Sequence, residues 1–208
     1  CVESVSENEI YLGECQNGED IISGFHFQDI TIPQGYQINR AYLEFTVDGP
    51  YKSEMTVTFR GEASGNSAPF STFSYPSDRP VGDKTTDWFI PASDPWELGM
   101  TRESPDLTAV IQEILDREDW QSGNSISFIV ENKTPAQGKH RRVIGYERPV
   151  WYPGDQYAAR LIILIGDQDS DRDGLTDAQE TSGFRTQFNQ IVYTDPYKLD
   201  TDGDGIPD

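Results

Sequence analysis

Residues 38–47 read INRAYLEFTV. Ala41, Leu43, Phe45 and Val47 fall on one side of an extended chain, and Tyr42, Glu44 and Thr46 on the other. A period of two with one apolar side predicts a long strand with one buried face. Pro33-Gln34-Gly35 reads as the turn before it, since proline and glycine suit successive turn places. Beyond it, Met55 to Arg60 (MTVTFR) repeats the alternation, with Val57 and Phe59 opposed to Thr56, Thr58 and Arg60.

Outward from these two strands, more segments of the same kind follow. Ile21 to Phe27, Ile126 to Glu131, Arg142 to Tyr146 and Ala159 to Ile165 each read as strands, and Trp88-Phe89-Ile90 as a short buried one. Residues 1–19 are polar apart from Ile10–Leu12, and 61–85 and 91–100 read as loops rich in turn residues. One helix is expected. Ser104 suits its cap, Pro105 its first place and Asp106 its positive end. Leu107, Val110, Ile111, Ile114 and Leu115 recur at helical spacing, and the helix is expected to end near Asp119-Trp120. Many short strands and one helix predict a mainly β fold, an antiparallel jelly-roll-like sandwich over residues 1–166. Ala159 to Ile165 (AARLIILI runs to its end) is apolar on both faces and is expected at the centre of a sheet.

The last fifth of the chain, residues 167–208, has a different character. It holds eleven acids against three bases, −8 of the total −20. Within it Asp169 to Glu180 reads DSDRDGLTDAQE. Oxygen side chains occupy the first, third, fifth, ninth and twelfth places: Asp169, Asp171, Asp173, Asp177 and Glu180. Gly174 takes the sixth place and Leu175 the seventh, where the backbone carbonyl would serve. A large hard cation takes six to eight oxygens at about 2.3–2.6 Å, and this is the spacing of a twelve-residue calcium loop. Without a cation, so many carboxylates in so short a loop repel one another. A second run, Asp200, Asp202 and Asp204 with Gly205, Ile206 and Asp208, repeats places one to nine. Its twelfth place falls beyond Asp208, so either the natural chain continues or a neighbouring subunit or water completes the shell. Roughly two to three calcium ions are expected.

This tail resembles thrombospondin type 3 calcium repeats and the calcium segment of protective-antigen-like binary toxins. In the latter a D-x-D-x-D-G-x-x-D-x-x-E loop is followed by a glycine–aromatic pair, here Gly183-Phe184, and by a Ser/Thr-Asp-Pro, here Thr194-Asp195-Pro196. The resemblance implies that Asp195 returns to the first loop as a ligand. Residues 1–166 loosely resemble the secreted carbohydrate-binding-module-like sandwiches of the DNRLRE type, through IPQG before AYLEFTV, WFIP, SPDLTAVIQEIL and AARLIILI. That likeness is one of architecture and implies fold ahead of function.

Composition narrows the function. With 35% hydrophobic and 12% aromatic residues there is enough to build a core. A net charge of −20 excludes the basic footprint of nucleic-acid binding. No apolar run approaches the ~18 residues of a membrane helix. Cys1 admits two readings, a lipid-modified amino terminus or a Cys1–Cys15 disulfide, and both imply an extracellular or cell-surface protein. His26 and His140 lie in no nucleophile or metal motif, and the charges Arg60, Glu62, Arg141, Arg142, Glu147 and Arg148 are expected to pair across sheets. No catalytic residue is assigned. Trp88 and Trp96 are expected in the core, whereas Trp151 and Tyr152, with Tyr146 and Tyr157 nearby, are candidates for a sugar-stacking surface. Three roles remain open: a non-enzymatic calcium-binding subunit that self-assembles into a layer, filament, tube or stalk; a carbohydrate-binding module of a secreted enzyme, taking a cell-surface glycan; or a piece of a calcium-dependent toxin or protease.

Overall fold

The alternation of residues 41–47 carries straight into the observed burial. In the structure, a computed structural model, Ala41, Leu43, Phe45 and Val47 are at most 1% exposed, while Tyr42, Glu44 and Thr46 are half-buried on the other face. The described residues are 9–13, 21–133, 139–146, 155–166, 170–171, 173, 175–185 and 190–205. The chain divides into two compact units, Cys1–Leu164 and Ile165–Asp208.

Among the described residues the first unit contains nine strands and one α-helix. They are β1 (Glu9–Gly13), β2 (Ile22–Ile30), β3 (Arg40–Thr46), β4 (Met55–Glu62), β5 (Val81–Ile90), β6 (Thr101–Glu103), α1 (Thr108–Leu115), β7 (Asn124–Asn132), β8 (His140–Ile144) and β9 (Arg160–Leu164). All pairings are antiparallel. One sheet runs β2-β7-β4-β5, another β6-β3-β9, and β1 pairs with β8. No described sheet closes into a barrel. The two larger sheets meet through the aromatic centre of the core. The Phe45 ring on β3 lies 5.2 Å from Phe25 on β2, 6.5 Å from Phe59 on β4 and 5.9 Å from Trp88 on β5.

β8 joins β3 as well. Val47 bridges Val143, and Asp48 N–H donates to the Arg142 carbonyl. Continued by one residue, that register sets Ile144 opposite Thr46, while β9 begins with Arg160 opposite Glu44. β8 and β9 therefore lie in line along one side of β3, and β6 lies along the other. Here the expectation of a central last strand is corrected. Among the described residues β9 lies at the edge of its sheet, with Leu161 and Ile163 only half-buried against the core and Leu164 47% exposed. Its apolarity reflects side chains on both faces; it does not report a neighbour on both edges.

Four further expectations shift. α1 starts later than Ser104 suggests, because Ser104 Oγ accepts the Leu43 N–H (3.0 Å) and so ties β3 to the preceding turn. Asp106 takes the capping part, its Oδ1 accepting the Thr108 N–H (2.9 Å). The helix ends at Leu115, and Trp120 stands beyond it, buried, donating its indole N–H to the Ile32 carbonyl (3.0 Å). Leu107 at the helix cap and Val110, Ile111, Ile114 and Leu115 within it are all buried, a contribution of about 1.5–3 kcal/mol per side chain. The stretch 81–85, expected as the end of a loop, is the first part of β5. An edge strand tolerates the exposed Asp83, Lys84 and Asp87 that disguise it. Phe89, expected buried, is 58% exposed on that same edge strand.

Candidate metal centre

The second unit begins its local order at a capping box. Thr176 Oγ1 accepts the Gln179 N–H (3.1 Å) and Gln179 Oε1 accepts the Thr176 N–H (3.0 Å), which starts α2 (Asp177–Ser182). Glu180 therefore stands in the first turn. A short antiparallel pair, β10 (Phe184–Arg185) with β11 (Ile191–Val192), brings the chain back. Thr194, just past β11, then donates its hydroxyl to Glu180 Oε1 (2.9 Å).

Ahead of α2 the loop curls by aspartate-to-backbone bonds. Asp171 Oδ1 accepts the Asp173 N–H (3.2 Å), and Asp173 Oδ1 accepts the Leu175 N–H (2.7 Å). Asp177 closes the turn from the helix side, accepting both the Ser170 N–H and the Ser170 hydroxyl (2.8 Å each). The result brings carboxylate oxygens of Asp171, Asp173 and Glu180 within 4.8 Å of one another. Glu180 is fully buried, and among the described residues its Oε2 has no hydrogen-bond partner, nor has Asp173 Oδ2. Burial raises the Glu180 pKa, and the neighbouring carboxylates of Asp171, Asp173 and Asp177 push it the same way, against the Thr194 hydrogen bond. A buried carboxylate with an orphaned oxygen facing two more carboxylates is the donor set a hard cation would satisfy.

The second acidic run is built differently. Asp200, Asp202 and Asp204 also bring oxygens within 4.8 Å of one another, but Asp202 and Asp204 are exposed. Asp200 accepts the Gly203 and Gly205 N–H groups (2.7 Å each), and those bonds, Gly205 first, hold its pKa down. Gly203 (φ 77°) and Gly205 (φ 91°) supply the left-handed backbone that turns their amides inward.

Of the residues singled out in the sequence, the fold thus gathers two groups of three. Asp177 supports the first by holding Ser170. Asp195 turns to Lys198, whose ammonium lies 3.2 Å away and lowers its pKa, and it accepts the Tyr197 N–H. From the Thr-Asp-Pro motif it is Thr194 that reaches Glu180. Leu175 is present at the turn; Asp169, Ile206 and Asp208 lie outside the described residues, as do Cys1, Cys15, Glu147, Arg148, Trp151 and Tyr152. Ser170 carries no signal of its own in the sequence, because a hydroxyl beside a carboxylate has no fixed spacing; Thr194 stands out only as part of the Thr-Asp-Pro motif, in which the ligand role is expected of Asp195.

In the first unit the expected pairing across a sheet is found for Arg60 with Glu131, on β4 and β7, whereas Glu62 pairs with Arg79 of the loop that follows β4. Arg141 departs from it. It is fully buried and donates to the carbonyls of Ser53, Pro91 and Asp94 at 2.7–3.0 Å. Trp96 is fully buried and Trp88 packs half-buried against the core. Comparison with known proteins yields no match, either to a family model or to an individual curated sequence.

Proposed function

We propose that residues 165–208 form a calcium-binding segment. Asp171, Asp173 and Glu180, with the Leu175 carbonyl, would be its first ligands, and Asp200, Asp202 and Asp204 the start of a second site. We propose further that the protein is an extracellular, non-enzymatic building block in which calcium stiffens this segment for assembly, behind a jelly-roll-like sandwich. The observation that carries the metal reading is the buried Glu180 carboxylate, its Oε2 unpartnered among aspartates. A hard divalent cation removes the repulsion and fills the vacant acceptor at once. The loop's resemblance to thrombospondin type 3 repeats favours calcium over smaller ions, and millimolar calcium outside cells would keep such a site filled.

The test is calorimetric. Calcium is titrated into chelator-treated full chain, with melting and particle size followed in parallel. Binding to the folded form alone stabilises by about 2.7 kcal/mol at a hundredfold excess over Kd. No heat and no change in melting would end the metal reading. Heat without any change in particle size would leave calcium binding standing and remove assembly.

One observation favours a second reading, carbohydrate binding. Tyr11, Tyr51, His140 and Arg142 cluster half-buried on the β1–β8 face, with the Arg142 guanidinium 5.5 and 5.4 Å from the two tyrosine rings. Glycan binding that Tyr11→Ala abolishes would support it.

A further inference from the structure

The described carboxylates of the first loop already bind the protein itself. Asp171 Oδ1 and Asp173 Oδ1 each accept a backbone N–H, and Asp177 gives one oxygen to the Ser170 N–H and the other to the Ser170 hydroxyl. Those bonds are local to the loop and its helix. Glu180 differs, because its partner returns from past β11: the Thr194 hydroxyl donates to Oε1 at 2.9 Å. The Glu180 backbone is fixed too. It lies in the first turn of α2, behind the Thr176 capping box, and its N–H donates to the Thr176 carbonyl (2.9 Å). Held at the backbone and at Oε1, the buried carboxylate cannot swing to present both oxygens equally to the point where Asp171 and Asp173 converge with it.

The number of oxygens decides which ion is favoured. Calcium takes about six to eight in an adaptable shell, and a two-oxygen clamp from the twelfth place helps a twelve-residue loop reach that number. Magnesium takes about six at 2.0–2.1 Å in a near-ideal octahedron and keeps several waters. Losing the clamp therefore costs calcium more than magnesium.

We propose, resting on the metal reading of the first loop, that Thr194 sets the ion preference there: by holding Oε1 it makes Glu180 a one-oxygen ligand, so calcium is favoured over magnesium by less than in a loop whose twelfth residue clamps with both. Thr194 is a positioning residue, acting through Glu180. Thr194→Val keeps the branched shape and removes the donor. Oε1 is then released to the ion. Calcium gains an oxygen, whereas magnesium, whose octahedron a clamp distorts, gains none and loses the support that oriented its ligand.

The test titrates calcium and magnesium separately into the chelator-treated full chain by calorimetry. Every chain carries Asp202→Asn and Asp204→Asn, which take the second acidic run out of the signal. The chain with Thr194 is expected to bind both ions. Thr194→Val should raise the ratio of calcium to magnesium affinity at least about tenfold, and Thr194→Ser, which keeps a hydroxyl, should leave it as it was. Infrared difference spectra, with Glu180→Gln as the blank, should move the carboxylate stretch of Glu180 from one-oxygen to two-oxygen coordination in calcium-loaded Thr194→Val alone. A chain with Thr194 that binds neither ion ends the metal reading and this preference with it. Binding whose ratio Thr194→Val leaves unchanged, both affinities falling alike, keeps the metal site and overturns the role of Thr194. So does a serine variant that behaves as the valine one.

Discussion

Arg141 offers the sharpest test of how the first unit is held together. Its guanidinium is buried, makes four hydrogen bonds to three backbone carbonyls, and lies 4.9 Å over the Trp96 ring. No carboxylate among the described residues forms an ion pair with it; Asp94 is paired with Arg102 instead (2.9 Å). Burial accordingly lowers the Arg141 pKa, against the pull of Asp94, with Arg102 adding to the lowering. Arg141→Met would leave the Ser53, Pro91 and Asp94 carbonyls without these donors, at about 1–3 kcal/mol each. Relief from burying a charge offsets several kcal/mol of that. A net loss of about 2–5 kcal/mol follows, or roughly 5–20 °C in Tm for a domain of this size. Arg141→Lys should be worse than Met, because it keeps the buried charge while one ammonium cannot serve three separated carbonyls. Urea unfolding followed by tryptophan fluorescence measures both, with the m-value checking that the denatured state is unchanged. A methionine variant within about 1 kcal/mol of the parent, or a lysine variant milder than it, would refute this account.

Two other outcomes are expected. Glu180→Gln should weaken calcium binding at the first site by at least the roughly 10–100-fold that loss of a merely supporting residue causes, read by calorimetry, and leave the Asp200 site titrating as before. His26 is held below its ordinary pKa by burial and then by Arg79, so the unfolded chain takes up its proton first. Its contribution to stability is whole above the unfolded value near 6.5 and fades as pH falls below it; a melting series from about pH 7.5 to 5.5 should fall more steeply for the parent than for His26→Gln.

Much of the fold is legible in the sequence where burial and period coincide. Ala41 to Val47, Val57 with Phe59, and the Leu107–Leu115 face announce themselves because one side of each is dry. β5 and β6 do not, for opposite reasons. β5 is long but carries charges that an exposed edge permits, and β6 is three residues that pair, among the described residues, with β3 alone. The place of β9 was beyond reach as well, since hydropathy records where side chains go and is silent about backbone partners. In the candidate metal centre the one-three-five spacing identifies Asp171 and Asp173, and the twelfth place identifies Glu180. What the spacing does not convey is the division of labour: Asp177 tightening the turn through Ser170, and Thr194 holding Glu180 in place from outside the loop.

That division bears on why the two acidic runs differ. Around Asp200, glycine amides already supply positive dipole to the carboxylate, and its neighbours Asp202 and Asp204 face water. Such a loop can keep its curl with no ion, because solvent screens exposed charges. Around Glu180 the same devices are spent on shaping the loop. Asp171 Oδ1 and Asp173 Oδ1 each hold a backbone amide, and Thr194 occupies Glu180 Oε1. Glu180 Oε2 and Asp173 Oδ2 are left over, pointed inward and out of reach of water. Burying acceptors in that state opposes folding, so the first loop should depend on its cation for shape, and the second only for rigidity.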